Sequence, residues 1–474
     1  MPTGFIETVN PATGEKLSSY KLQNIEEVSG VARIARDSFT KWGNLPISER
    51  GEYLRSLAKA LRSKKSDYSK LMTLEMGKPI VQSEAEVEKC AWTAEVYAEK
   101  AEGWLEDEFA KTDSKLSYVA YQPLGVVLSI MPWNFPFWQA FRFAIPTLVA
   151  GNTSILRHAS ICTGSGLAIQ EAFEIAGFPG GVFTAVITDH ATVTKLIESD
   201  HIAGVSLTGS VEAGQRVGEA ALRSLKKCVL ELGGSDPFIV LGDADVDAAA
   251  KVGAEARLLN SGQSCICAKR FIVEESVVSE FTEKFVLEFQ KKKTGDPMDR
   301  STDVGPLSSK EAVGLIDLQV KDAIAKQGRV LIGGRVREGP GTFYEPTVLD
   351  RVGMSMKVLS EEVFGPVAPV LGVAGEDEAI RVANDSEFGL GASLWTSDFE
   401  RAKKLARRIE SGMVFVNSLV KSDPRMPFGG IKKSGIGREL SKFGLKEFVN
   451  VKSINMYESQ ISRKMEEPRK ILSE

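Results

Sequence analysis

Histidine is almost missing from this chain: His158, His190 and His201 are the only three in 474 residues, and they stand at no zinc-ligand spacing. Cysteine is sparse and odd in number, with Cys90, Cys162, Cys228, Cys265 and Cys267. That excludes a disulfide framework and fits a reducing compartment. Cys265 and Cys267 fall one residue short of a CxxC pair, so no metal site is expected. Long apolar runs are missing too: stretches such as Leu124–Met131 are of strand length, far below the ~18 residues that span a membrane. The first residues show no basic stretch followed by an apolar one, so no signal peptide is read. Neither charge sign dominates: 59 Lys and Arg stand against 63 Asp and Glu, a net charge of −4. A nucleic-acid or anionic-membrane partner is therefore not expected. There is no GxSxG elbow, no Ser/His/Asp set, no GxGxxG and no internal repeat. What remains is the expectation of a soluble cytoplasmic protein.

The apolar fraction of 43% is that of an ordinary globular chain. At roughly 100–200 residues per domain, the length predicts two to four domains. The opening reads as helices over 24–42, 47–62, 66–76 and 81–104, and carries no recognisable chemistry. Asn24 with Glu27 three residues on is a capping-box pattern. From Leu124 to Leu232 strands alternate with helices of 9–14 residues. Such alternation implies right-handed crossovers and a parallel sheet, whose ligands bind beyond the carboxyl ends of the strands. A second alternating stretch runs from 244 to 450, with strands at Arg270–Glu274, Val330–Ile332, Val367–Val373, Ala392–Trp395 and Met413–Asn417. The fold class is thus α/β, in two units of about 200 residues each.

Three segments carry candidate chemistry. In Asn260-Ser261-Gly262-Gln263-Ser264-Cys265-Ile266-Cys267 a cysteine follows a polar, Gly-containing turn at the end of a helix. Such a turn can expose the sulfur and aim backbone N–H groups at it, the setting of a nucleophilic thiol. Read alone, the same cysteine fits a buried, inert thiol. Glu231 closes an apolar strand and is followed by Gly233 and Gly234. It is placed as a general base or as a cap for the next turn. Asn134, within Pro132-Trp133-Asn134-Phe135-Pro136, offers a fixed neutral donor for an oxyanion or a cap for the following helix. Thr208-Gly209-Ser210 opens a helix, where an anion is favoured. Gln215 stands where a Walker motif has lysine, which argues against a nucleotide triphosphatase.

Taken together, these segments resemble the aldehyde dehydrogenase superfamily. So do Asn10-Pro11-Ala12-Thr13-Gly14-Glu15, Glu75-Met76-Gly77-Lys78-Pro79, Glu361-Glu362-Val363-Phe364-Gly365-Pro366-Val367 and Pro427-Phe428-Gly429-Gly430-Ile431-Lys432-Lys433-Ser434-Gly435. All run in the family's order along nearly the whole chain. The resemblance implies a Rossmann-like cofactor domain over 1–104 and 124–233, and a catalytic domain over 234–448. It also implies a small β oligomerisation arm over 105–123 and 449–457, before a charged tail at 458–474. The partner expected is a second copy, in a homodimer or homotetramer.

Carried over position by position, Cys265 resembles the nucleophile, Glu231 the base for deacylation and Asn134 the oxyanion donor. Trp133, Gly209, Ser210, Gly233, Glu362 and Phe364 would line the cofactor path. Lys78, Lys432 and Glu439 also match family motifs. Where the family has Lys-Pro-Ala-Glu, this chain has Arg157-His158-Ala159-Ser160. Ser160 removes a carboxylate that would repel a 2′-phosphate, and Arg157 adds a phosphate-compatible fork, so NADP is expected over NAD. The stretch Asn417–Arg425 is similar to the succinate-semialdehyde branch of the family. There Arg142 matches the holder of the distal carboxylate and Ser422 a second donor. Some of that branch carry a further Arg six residues before the nucleophile, where this chain has Leu259. Cys267 matches the redox partner of the nucleophile in one such branch. The alternatives are another aldehyde (glyceraldehyde, lactaldehyde, or an aliphatic or aromatic one) or a non-catalytic member. An apolar substrate would find Trp138, Phe141 and Phe143 nearby.

Overall fold

A computed structural model describes residues 4–458. Of the tail read at 458–474, all but its first residue lies outside the described residues. The chain opens on a hairpin of Phe5–Val9 and Lys16–Lys21, for which the sequence reading assigns no element. Helices then cover Ile25–Trp42, Ile47–Ser63, Lys65–Met76 and Ile80–Trp104. The capping box forms as read: Asn24 Oδ1 accepts from Glu27 N at 2.9 Å and Glu27 Oε2 from Asn24 N at 2.8 Å.

Two large sheets organise the rest of the chain. The first is six-stranded, in the order Gly435–Ile436, Lys227–Glu231, Ile202–Thr208, Val126–Met131, Thr153–His158, Phe183–Val186. All neighbours are parallel except the Gly435–Ile436 edge. The chain enters at Val126–Met131, builds outward through Thr153–His158 and Phe183–Val186, then crosses back to Ile202–Thr208. Strand order therefore reverses between Val126–Met131 and Ile202–Thr208, and a crevice opens beyond their carboxyl ends.

The second sheet has seven strands, in the order Arg329–Ile332, Thr347–Asp350, Val367–Val373, Ala268–Glu274, Asp236–Val240, Gly391–Trp395, Met413–Val416. Only the Arg329–Ile332 edge is antiparallel. The interior strand Asp236–Val240 escaped the sequence reading, because Gly233-Gly234-Ser235 and Pro237 read as a turn. A register shift between Asp236 and Pro237 lets the proline sit there. A third sheet joins Glu108–Ala110, Leu116–Pro123 and Val449–Met456.

The sheets are not independent of the late chain. Gly435–Ile436 closes the first sheet against Leu230 and Glu231. Leu440, Leu445 and Phe448 pack into the same core as the helix Pro136–Val149. Among the described residues no helix is long and apolar enough to cross a membrane, and no group of three or more His, Cys, Asp or Glu is placed to hold a metal.

Candidate active site

The loop before Cys265 is held in a conformation that side chains seldom adopt. Asn260, Ser261 and Gly262 are consecutive left-handed residues with φ of 52°, 57° and 77°. Strain of this kind persists only where the surroundings over-determine it. Here Asn260 Nδ2 donates to Asn134 O at 2.6 Å and to Gln263 O at 3.1 Å. Ser261 Oγ donates to Gly305 O at 3.0 Å. A Cβ on Gly262 would stand 2.2 Å from Gly365 O, so only glycine fits. Lys269 Nζ donates to Cys265 O at 2.6 Å and stands 3.1 Å from Glu362 Oε1.

Cys265 lies where two clefts meet. The first holds about 600 Å³ and is lined by Pro132, Trp133 and Asn134 from the end of one switch-point strand and by Thr208, Gly209 and Ser210 from the end of the other. Gly233, Glu362 and Phe364 close it. The second holds about 830 Å³ and runs from Cys265 to Lys89, Trp138, Arg142 and Ser422. Gln139 reaches both. Of the predicted residues, Trp133, Asn134, Gly209, Ser210, Gly233, Glu362 and Phe364 line the first cleft and Arg142 and Ser422 the second, while Glu231, Arg157, Ser160 and Cys267 line neither.

Asn134 is buried, and its Nδ2 donates to Gln263 O at 3.1 Å, two residues before the thiol. One amide hydrogen is used there and the other is left for a ligand. Trp133 and Phe364 meet edge-on with ring centroids 5.8 Å apart. Glu362 Oε1 accepts from Gly234 N at 3.1 Å. A Cβ on Gly233 would stand 2.6 Å from Glu362 Oε2. Ser210 also caps its helix, Oγ accepting from Ala213 N at 3.2 Å. The cleft fits a dinucleotide: its walls are main-chain turns, glycines and two rings at a sheet's switch point.

Glu231 ends its strand as read, but it lines neither cleft. It is 2% exposed, and among the described residues neither of its oxygens has a hydrogen-bond partner. The carboxyl points to Gly429, where an added Cβ would stand 2.5 Å from Oε1. Burial first, and the charge of Glu439 second, push it well above the usual carboxylate range, against the pull of Arg142 and Arg438. Burial likewise pushes the Cys265 thiol up to about 12, although Arg142 and Lys269 draw it down.

Arg157 and Ser160 lie at and just past the end of Thr153–His158, with Arg157 in register with Ile130 beside the crevice. Arg157 Nη2 donates to Ser160 Oγ at 3.4 Å and Nε to Thr188 O at 3.4 Å. The arginine is buried and its fork is partly engaged. Cys267 is buried, its sulfur donating to Arg257 O at 3.8 Å and Leu259 O at 3.7 Å, and all five cysteines are free thiols. Lys78 touches neither cleft. It contacts Glu86 and lies 3.8 Å from the Phe135 ring centroid. Glu86 in turn caps the helix Pro136–Val149, accepting from Phe137 N and Trp138 N at 2.9 and 2.8 Å. Phe141 and Phe143 face the core against Phe173 and Phe448, and only Trp138 of the three aromatics reaches the cleft. The helix read as free of chemistry, Ile80–Trp104, supplies Gln82, Glu86 and Lys89 to the second cleft.

The sequence matches the Aldehyde dehydrogenase family over residues 2–454. The chain belongs to that family. As an aldehyde dehydrogenase it is an NAD(P)-dependent oxidoreductase acting on an aldehyde group. It is 48% identical over 449 residues to a Synechocystis protein named a probable NADP-type succinate-semialdehyde dehydrogenase, covering 95% of this chain and 99% of the other. It is 43% identical to the Escherichia coli succinate semialdehyde dehydrogenase of NAD(P)+ type, covering 94% and 97%. Among solved structures it is similar to the succinic semialdehyde dehydrogenase of Streptococcus pyogenes in complex with NADP+, at 39% identity and a TM-score of 0.93, covering 96% of this chain and all of the other.

Proposed function

We propose that this aldehyde dehydrogenase oxidises succinate semialdehyde to succinate with NADP in preference to NAD. The observation that carries the reading is the position of Cys265 at the junction of the two clefts. One cleft has dinucleotide walls, and the other ends in the polar group of Lys89, Arg142 and Ser422. The names of the similar proteins support the substrate and the cofactor.

The chemistry is set by the residues around the sulfur. The Cys265 proton leaves to solvent and Sγ attacks the aldehyde carbon, forming a C–S bond as the carbonyl π pair moves onto oxygen. The oxyanion is held by the free amide hydrogen of Asn134 and the backbone N–H of Cys265. A bound nicotinamide supplies the acceptor for the hydride that leaves this carbon. The resulting thioester is cleaved by water. Glu231 takes a proton from that water, for which its carboxyl must ionise and swing from Gly429 toward the sulfur. The C–S bond breaks and the carboxylic acid departs. Trp133, Gly209, Ser210, Gly233, Glu362 and Phe364 hold the cofactor. Arg157 and Ser160 receive the phosphate end beside the crevice. A peroxide that takes up the two electrons and two protons of both thiols would leave a Cys265–Cys267 bridge, an off switch that forms once Cys267 leaves the two carbonyls that hold it.

The sheet that ends in Val449–Met456 pairs copies of the chain into a homodimer or homotetramer, for which Phe109, Val451 and Met456 leave exposed apolar surface. Five free thiols suit a cytoplasmic setting. A panel of aldehydes followed at 340 nm with NAD and with NADP tests the whole reading. Succinate semialdehyde with NADP should give the highest kcat/KM. A neutral aliphatic aldehyde that outperforms it would defeat the substrate assignment.

A further inference from the structure

The second cleft holds two buried or half-buried cations, and they are not equivalent. Arg142 is already compensated. Its Nε is in ionic contact with Glu439 Oε2, its Nη2 donates to Thr208 Oγ1 at 3.3 Å, and its guanidinium carbon lies 4.3 Å from the Phe428 ring centroid. Lys89 is not compensated. Its Nζ lies 4.4 Å from the Trp138 ring centroid and donates to Ser422 Oγ at 2.6 Å. Among the described residues no carboxylate stands within ion-pair distance of it. The acidic groups nearest to it serve other cations. Glu86 contacts Lys78 and caps a helix, while Asp423 accepts from Arg425 Nε at 2.9 Å and Nη2 at 2.7 Å.

An ammonium drawn into a cleft with one neutral partner keeps two N–H donors unspent, and burying such a charge is costly unless an anion meets it. Ser422 accepts from Lys89, so its own hydrogen is free to donate in the same direction. We propose that Lys89 Nζ and Ser422 Oγ bind the distal carboxylate of the semialdehyde directly, while Arg142, already paired with Glu439, contributes charge to the cleft without meeting that carboxylate. The assignment rests on the reading that Cys265 attacks a semialdehyde. Burial, then the charge of Arg142, pull the Lys89 ammonium down to about 8, against weaker pulls from Cys90, Glu86 and Asp423. A carboxylate on Nζ offsets both. Lys89 and Cys265 line the same cleft. That arrangement sorts aldehydes by the charge at their far end.

The test compares kcat/KM for succinate semialdehyde with that for butanal, a neutral aldehyde of the same length, in the full-length enzyme. Lys89→Met should lower the ratio about 10- to 100-fold, mainly through KM, as expected for loss of a hydrogen bond to a charged group. Lys89→Arg should keep most of it, and Ser422→Ala should lower it by a smaller factor. Arg142→Met should weaken both aldehydes alike. Lys89→Gln stands in if the methionine variant fails to fold. A second readout needs no turnover: succinate should raise the melting temperature of the wild type and lose that effect in Lys89→Met. If the wild type prefers the semialdehyde and Lys89→Met keeps both the preference and the succinate stabilisation, the lysine assignment is overturned. If the wild type has no such preference, the substrate reading falls. In that case a succinate stabilisation that depends on Lys89 would still establish the anion site.

Discussion

The two clefts that meet at Cys265 are built by different means. The first is placed by the sheet: the turns Pro132–Asn134 and Thr208–Ser210 leave adjacent parallel strands at the point where strand order reverses. Its position is a property of the topology, and any sequence that folds this way has a crevice there. The second cleft is walled by side chains drawn from four distant stretches: the helix Ile80–Trp104, the helix Pro136–Val149, the loop before Cys265, and residues 419–428. Nothing in the sheet order dictates which side chains those are. The place of the first cleft is therefore set by backbone topology, and the choice of aldehyde by a few side chains brought together from distant stretches.

The sharpest way to break this division is to remove the atom that both clefts share. Cys265→Ser should lower kcat by at least about 10³-fold with every aldehyde and either cofactor, since the acyl intermediate cannot form at the same rate. Cofactor binding, read by quenching of tryptophan fluorescence, should survive. Retained turnover would remove the sulfur from the mechanism. Glu231→Gln comes next, with a loss of about 10²- to 10⁴-fold in steady-state kcat. The pH dependence carries its own sign. Burial and the charge of Glu439 push the Glu231 carboxyl up, so its basic form grows as pH rises. Hydrolysis of the thioester, followed on its own by single-turnover kinetics, should speed up as pH rises, and the glutamine variant should lose that rise. A wild-type hydrolysis rate that stays flat with pH would mean that the carboxyl does not serve as the base.

How much of the site was legible differs between the clefts for the same reason that their construction does. The switch-point strands and the turns after them stood out, because apolar runs of strand length are followed directly by Pro, Gly and Asn. Asp236–Val240 did not, although it is an interior strand of the second sheet, because Pro237 counts against such a strand until a register shift accommodates it. Lys89 was passed over because a charged residue on an amphipathic helix reads as solvated surface. A signal was present: Gln82, Glu86 and Lys89 stand at spacings of four and three, a polar stripe along one helix face beside fully buried Val87 and Cys90. Arg142 was placed in the cleft from sequence, but only the fold brings Glu439 against it from nearly 300 residues away. The side-chain direction of Glu231 was equally hidden, since Gly429 reaches it through the returning strand Gly435–Ile436.

The smallest of these effects tests whether the first cleft is as indifferent to the aldehyde as its construction implies. Ser160→Glu restores an acidic group at the end of Thr153–His158, within reach of Arg157. The new carboxylate would pair with that guanidinium and stand against the 2′-phosphate of NADP, while accepting from the free ribose hydroxyls of NAD. A unit repulsion at about 4 Å is worth roughly 1–4 kcal/mol between water and a partly shielded surface, so the NADP-to-NAD ratio of kcat/KM should fall about tenfold or more. The semialdehyde-to-butanal ratio should stay where it is, because Lys89 and Ser422 lie in the other cleft. An unchanged cofactor ratio would place the phosphate away from Arg157. A shift in the aldehyde ratio would mean that the two clefts are coupled through Cys265, and that the division between backbone and side-chain control does not hold.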